Sequence, residues 1–242
     1  LSHRPVFLQE FWRRRGEAEV FIASRYVAGG LADVGWFRRV LSRILNTAYR
    51  RVLSLQIRDL SSGYRMYRRE ALAGLRLAAR DFDILEEILI RAYANGWQVL
   101  EVPFHFMSRG TGRSHARLLK FGWAFTRTLF RMWTLRNSVA SADYDDRAFD
   151  SRIPLQRYWQ RRRHRIILGF LRAVAPAAGP RVLDVGCGSS RIIQDLPEAV
   201  GLDLLLPKLR YLRPRHRRLV QGSVFNLPFR DASVEAVVCS EL

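Results

Sequence analysis

Seven residues, Val182-Leu-Asp-Val-Gly-Cys-Gly188, constrain the fold of this 242-residue chain more than any other stretch. An apolar run that ends in two closely spaced glycines predicts a short buried strand stopping in a tight turn. Gly186 and Gly188 tolerate positive φ and leave no Cβ between the backbone and a ligand. The helix that follows is therefore expected to present free amides to a small anionic or polar group. Asp203 stands 19 residues after Asp184 and closes Ala199-Val-Gly-Leu-Asp203, which reads as a second strand. In nucleotide sites with this grammar, an acid about 20 residues on holds the ribose hydroxyls. Further strands are predicted at Arg218-Leu-Val-Gln221 and at Val234-Glu-Ala-Val-Val-Cys239, the latter as a buried strand.

Between those strands lies Gly222-Ser-Val-Phe-Asn-Leu-Pro-Phe-Arg-Asp231. The ordered set, from about residue 143 onward, resembles the class I S-adenosylmethionine-dependent methyltransferases of the small-molecule type, with Leu-Asp-x-Gly-Cys-Gly and a later Leu-Pro-Phe-x-Asp. The resemblance implies a Rossmann-like sheet with the cofactor in the crevice between its first and fourth strands. It also implies that Asp184, Gly186, Cys187 and Gly188 line the methionine end and that Asp203 holds the ribose. Ser223, where most relatives carry Asp, and the backbone of Val224 fall at the adenine. The segment Gln156 to Phe170 is expected to pack beneath the sheet through Tyr158, Trp159 and Ile166, with Tyr158, Trp159 and Arg163 as lid residues. The chain ends at Glu241-Leu242, where the loop after the fourth strand should begin to cover the cofactor. The expectation is a half-domain whose fourth strand forms an unpaired apolar edge prone to association.

The first 140 residues share none of that pattern. They carry five separate blocks: Val20 to Gly30; Arg38-Arg39 with Ser42; Asp59-Leu-Ser-Ser-Gly-Tyr-Arg-Met-Tyr67; Asn95 to Phe104; and Arg109-Gly-Thr-Gly-Arg-Ser114. In this order they resemble the family 2 glycosyltransferases of the dolichol-phosphate mannosyltransferase type. That resemblance implies a partial GT-A domain, a nucleotide-sugar donor, a polyprenyl phosphate acceptor and a divalent metal, Mg or Mn. The opening Leu1-Ser-His-Arg-Pro5 matches the segment directly after the family's metal-binding Asp-x-Asp, so the metal carboxylates are expected upstream, with Ser2 as a further polar contact. Arg25, Arg39 and Ser42, with Arg38 adjacent, match the acceptor-phosphate region; Arg65 and Arg109 lie in blocks that face the reacting groups. His115 stands where relatives have Lys.

An arginine-built site suits that chemistry. A lipid monophosphate has a second pKa near ~6 and already offers an oxyanion nucleophile around neutral pH, so no general base is needed. The protein must orient it and offset its repulsion from the donor diphosphate, which guanidinium groups do well. Asp81-Phe-Asp83 looks like an Asp-x-Asp pair. Because Asp83 precedes the periodic run Ile84, Leu85, Ile88, Leu89 and is followed by Glu86, it reads as a helix cap with capping-box spacing.

Trp36 to Leu53 predicts a helix with Trp36, Phe37, Val40, Leu41, Ile44, Leu45, Tyr49 and Val52 on one side and Arg38, Arg39, Arg43, Arg50 and Arg51 on the other. Such a helix suits either an anionic bilayer surface or a packed core with a wet side. A second basic-aromatic stretch, Arg113 to Arg136, is interrupted by Lys120, Arg127 and Arg131 and is expected to lie on a surface and not to cross a bilayer. The expected location is cytoplasmic, peripheral at the cytoplasmic face of the membrane.

A net charge of +19 and 39 arginines raise nucleic acid as a partner, yet Arg161-Arg-Arg-His-Arg165 and Arg213 to Arg218 sit in no recognisable nucleic-acid module. Two cysteines do not suggest a disulfide framework, and the five histidines lack zinc-ligand spacing. The resulting reading is α/β throughout: a partial GT-A domain at 1–138, a polar acidic linker at 139–150 and a partial methyltransferase domain at 151–242. It predicts a bifunctional transferase; the rivals are a methyltransferase docked by its front part, and a non-catalytic scaffold.

Overall fold

The computed structural model describes residues 5–81, 83–107, 118–174 and 181–240. Ser2, His3, Phe82, the Arg109–Ser114 block, His115 and Glu241-Leu242 lie outside them, as do the side chains of Arg38, Lys120 and Phe121. The chain divides into two compact units, Leu1–Tyr93 with Trp97–Arg136, and Ala94–Gly96 with Asn137–Leu242.

In the first unit a 3-10 turn, Pro5–Phe7, leads into α1 (Leu8–Arg13). Next come β1 (Val20–Ser24), β2 (Leu31–Asp33), α2 (Trp36–Leu53), β3 (Arg65–Tyr67), α3 (Arg69–Leu72), α4 (Ile84–Ala94), β4 (Val99–Pro103), β5 (His105–Met107) and α5 (Leu118–Arg136). β1 is central, antiparallel to β3 and parallel to β4 in register Val20 with Val99. Its run of apolar residues is buried on both faces, as β-branched and aromatic residues in a central strand should be. Val20 and Ile22 join one core with Leu53, Leu89 and Met132. Phe21 and Ala23 join another with Phe11, Val102 and Phe104. Phe104 hinges the chain from one sheet to the next: its N–H donates to the Ser24 carbonyl at 2.9 Å, its carbonyl accepts from Leu31 N at 3.0 Å, and β5 then pairs parallel with β2.

α2 divides its apolar residues. Tyr49 and Leu53 are buried and Leu45 packs against the core, whereas Trp36, Phe37, Val40 and Ile44 stand exposed along its first half. α5 lays Phe125, Thr128 and Met132 on the core and leaves Trp123 and Phe130 outside. No helix among the described residues is long and apolar enough to cross a membrane. Arg136, at the end of α5, is fully buried, donating to the Leu53 carbonyl and stacking over Tyr93. The sequence offered no sign of that.

Asp83 does directly precede α4, but the expected capping box does not close. Asp83 accepts instead from the Thr128 hydroxyl at 2.6 Å and from Asp81 N at 3.3 Å, because α5 brings a donor within reach. Glu86 is 2% exposed, with Oε2 lacking any hydrogen-bond partner. Burial, against the pull of Arg65, pushes its carboxyl up to about 8 from an ordinary 4.5. A value raised in the folded state favours folding fully below the unfolded value, and that contribution is lost as pH climbs through the folded one. Protection of the α4 amides from hydrogen exchange, referred to each pH, is therefore expected to weaken between about pH 4.5 and 8. Glu86→Gln should flatten that trend, and equal slopes in both proteins would remove Glu86 as its cause.

The second unit runs α6 (Tyr144–Phe149), α7 (Pro154–Val174), β6 (Val182–Val185), α8 (Arg191–Gln194), β7 (Val200–Asp203), α9 (Leu206–Leu212), β8 (Leu219–Gln221) and β9 (Ala236–Cys239). Its sheet is wholly parallel in the order β8-β7-β6-β9, so the strand order reverses beside β6. Ligands bind at that switch point in open α/β sheets. The segment read as a linker folds as α6, whose acids are drawn in by basic and hydroxyl partners: Asp146 takes bonds from Arg191 and Tyr211.

The structure departs from expectation at two further places. α7 packs on the sheet through Ile167 and Leu171, while Tyr158, Trp159 and Ile166 are exposed, since the helix turns its other face to the core. β9 is covered on one face only, so Val238 is buried but Val237 and Cys239 are exposed.

Candidate functional site

The glycine turn after β6 adopts the conformation its residues permit, with φ of +69° at Gly186 and +56° at Gly188. Its amides, however, are not free. Those of Gly186 and Cys187 both donate to the Leu202 carbonyl, at 2.8 and 3.0 Å. Gly188 N donates to Asp203 Oδ2 at 2.8 Å, and Ser189 N to Asp145 Oδ2 at 2.9 Å. The expected amide cradle is thus closed by a neighbouring strand and by an acid from α6, and α8 is only four residues long. Recognition falls to side chains.

Those side chains surround a pocket of ≈ 500 Å³ lined by Gly186, Cys187, Gly188, Asp203, Ser223 and Val224, all foreseen, by Arg163, foreseen as a lid residue, and also by Asp145, Leu204, Lys208, Phe225 and Ser240. Asp203 ends β7 with its two oxygens each accepting one backbone N–H, from Gly188 and from Leu205 at 2.7 Å. Each oxygen keeps a lone pair for a ribose hydroxyl. Asp145 Oδ2 gathers Ser189 N, the Ser189 hydroxyl at 3.1 Å and Lys208 Nζ at 2.9 Å. A Cβ on Gly188 would lie 2.4 Å from that same oxygen, so only glycine admits Asp145 there.

Asp184 is 1% exposed, and its Oδ2 has no hydrogen-bond partner. Burial, opposed by Arg163, raises its carboxyl to about 7. Burial likewise lowers Arg163, against Asp145 and Asp184. Cys187 is buried and its thiol is pushed up by that burial, so it is a wall of the pocket and not a nucleophile. Ser223 Oγ accepts from Phe225 N at 3.2 Å, turning the loop so that Phe225 stands 96% exposed at the pocket. An exposed aromatic ring, an acid with spare acceptors and a left-handed glycine fit an adenosine ligand bearing an amino-acid tail, whereas Asp184, expected at the methionine end, is buried behind the turn and does not line the pocket.

In the first unit, Arg25 meets Asp59 in a bidentate pair, Nε to Oδ2 at 2.8 Å and Nη2 to Oδ1 at 2.7 Å, and Nη2 also donates to Ser61 Oγ at 2.8 Å. Ser42 Oγ accepts from the Tyr26 hydroxyl at 2.9 Å and lies 3.2 Å from Ser61 Oγ, so Arg25 and Ser42 do come together. Arg39 donates to the Val34 carbonyl at 3.3 Å and is not among the residues lining the adjacent cleft. Arg65 is committed to backbone, donating to the carbonyls of Leu60, Ser62 and Leu85, and so holds the Asp59–Tyr67 block together. Arg109 lies outside the described residues. The cleft itself, ≈ 530 Å³, is lined by Arg25, Tyr26, Asn46 and three arginines not foreseen as site residues: Arg43, Arg50 and Arg58. Among the described residues no group of three or more His, Cys, Asp or Glu side chains is placed to hold a metal.

Residues 183–242 match the family model described as Methyltransferase domain, so the pocket beside Asp203 belongs to a methyltransferase domain. The chain is also 43% identical over 103 residues to the polyprenol monophosphomannose synthase of Mycolicibacterium smegmatis, covering 40% of this chain and 38% of that protein. It is 30% identical over 118 residues to the undecaprenyl-phosphate mannosyltransferase of Micrococcus luteus, covering 47% of this chain and 48% of that protein. It therefore spans less than half the length of either curated relative. One α/β chain thus carries a methyltransferase domain and, over a separate stretch, similarity to proteins named as a polyprenol monophosphomannose synthase and a mannosyltransferase.

Proposed function

We propose that this chain is part of a bifunctional transferase: one unit serves glycosyl transfer from a nucleotide-sugar to a polyprenyl phosphate, the other S-adenosylmethionine-dependent methyl transfer to a small or lipid-linked acceptor. The observation that carries the second activity is the pocket at the strand-order reversal, where Asp203 fixes Gly188 and keeps acceptors in reserve. S-adenosylmethionine, when bound, supplies an electrophilic methyl on sulfonium. Asp203 would hold its ribose, Ser223, Val224 and Phe225 its adenine, and Asp145, Arg163 and Lys208 its charged amino-acid end. For the glycosyl reaction the support is the relatives' names together with the Arg25, Ser42 and Ser61 cluster.

Calorimetry with S-adenosylmethionine tests the reading. Asp203→Ala is expected to weaken binding by roughly tenfold to a hundredfold, since it removes charge-assisted hydrogen bonds worth about 1.5–3 kcal/mol. Unchanged affinity would remove the ribose assignment, and no binding by the unaltered chain would remove the site. A peripheral position at the cytoplasmic face of a membrane is proposed from the exposed Trp36, Phe37, Val40 and Ile44 beside the arginines of α2.

A further inference from the structure

α7 turns different sectors of its circumference to different surroundings. Its inner sector packs Ile167 and Leu171 on the sheet and brings Arg163 to the pocket beside Asp203. A second sector is basic, with Arg157, Arg161, Arg165 and Arg172. The outer sector holds Leu155, Tyr158, Trp159, Ile166 and Phe170, whose spacing gathers them on one stripe about 120° wide and about 22 Å long. All five are exposed, Trp159 at 63% and Phe170 at 69%, and none is among the residues that line the pocket. We propose that this stripe docks in the headgroup boundary of an anionic bilayer, which gives the second unit a membrane contact of its own, independent of α2.

Charge selects the occupant. The 21 residues of α7 include six arginines and neither Asp nor Glu. Arg161 pairs with Asp150 at 2.8 Å, but Arg162, Arg165 and Arg172 have no acidic partner among the described residues. Solvent screens each exposed cation, so the arginines decide which surface is attractive, while burial of the apolar stripe supplies most of the affinity. Arg162 stands in the middle of that stripe. A protein partner would have to match its guanidinium with an acid, and a second copy of α7 offers none. At a bilayer the long side chain reaches back to the headgroup phosphates while its apolar neighbours stay immersed. Tyr158 and Trp159, apolar with one polar tip each, suit the same boundary. Nucleic acid would satisfy the arginines but leave Leu155, Ile166 and Phe170 in water. Because arginines interrupt the apolar residues, α7 would lie along the membrane and not across it. The contact does not rest on either transfer reaction.

The test uses the 242-residue chain carrying Cys239→Ser, since Cys239 is exposed and Cys187 is buried. In that background Ile166→Cys takes a nitrobenzoxadiazole label. Vesicles of mixed phosphatidylglycerol and phosphatidylcholine are expected to brighten and blue-shift the label, and nitroxide-bearing acyl chains to quench it. The same label at Asp231→Cys is expected to stay in water, because it sits in the loop whose Phe229 and Val234 pack on the opposite face of the sheet, against Leu183 and Val185. Adding Trp159→Ser and Phe170→Ser should raise the lipid concentration for half the change at least about tenfold, since two large side chains no longer gain from burial. Vesicles of phosphatidylcholine alone should raise it at least about tenfold as well, because the arginines then meet no net charge. A label at Ile44→Cys reads the α2 contact separately, so either contact can fail without the other. No lipid-dependent change at the position of Ile166, or equal changes there and at the position of Asp231, would overturn the proposal. So would a change that follows protein concentration without lipid, which assigns the stripe to a second copy, or one produced equally by polyuridylate, which assigns it to nucleic acid.

Discussion

Replacing Arg25 with methionine is expected to destabilise the first unit by about 3–5 kcal/mol, the cost of removing one partner from a buried ion pair. Asp59 is fully buried and receives from Arg25 three hydrogen bonds: two from the guanidinium and one, at 2.9 Å, from the backbone N–H. Without the guanidinium its carboxylate keeps only the backbone donor and the Ser61 hydroxyl at 3.4 Å. The same cluster sets the end of β1, because Glu101 Oε1 accepts from both Asp59 N and the Ser24 hydroxyl. Amide exchange across β1 should therefore accelerate strongly in Arg25→Met. Arg25→Met combined with Asp59→Leu should recover part of the loss, since a buried pair exchanged for apolar groups is often near neutral. A cost under about 1 kcal/mol for the single variant would show that the remaining donors suffice for Asp59.

Gly188→Ala is expected to weaken S-adenosylmethionine binding by at least about tenfold. Two effects combine. A left-handed backbone costs an L-residue about 1–2 kcal/mol, and φ here is +56°. The new methyl would also stand 2.4 Å from Asp145 Oδ2, an oxygen held by Ser189 and Lys208 and so poorly able to retreat. Calorimetry of Gly188→Ala, Asp145→Ala and the double variant separates the two: the second substitution should return the steric part and leave the backbone part. Affinity equal to that of the unaltered chain in Gly188→Ala would show that this turn does not shape the site.

The two sites were legible to different degrees. Gly186, Gly188 and Asp203 could be picked out because each is tied to a local pattern, a turn that needs positive φ and an acid at a strand end. Lys208 had a weak signal, as one of two lysines in the chain, and Phe225 lay inside a recognised segment. Asp145 had none: it stands in a polar acidic stretch, and only the fold carries it to Ser189, 44 residues on. Arginines posed the harder problem. Arg25, Arg65 and Arg136 end in an acid, in carbonyls and in a buried ring contact respectively, while Arg43, Arg50 and Arg58 end in a cleft. Nothing in their immediate neighbours distinguishes those fates.

Hydrophobic periodicity and glycine placement by themselves determined the individual strands of the second unit, the buried β1 and the span of α2, because strand and helix periods are written in neighbouring residues, while the arrangement of those strands in one sheet was only implied by the family resemblance. Tertiary structure alone decided which charges are matched: it closed the turn amides with Leu202, Asp203 and Asp145, and left three arginines of the first unit facing open space. Charge pairing depends on distances between residues far apart in sequence, and those distances exist only once the chain has folded.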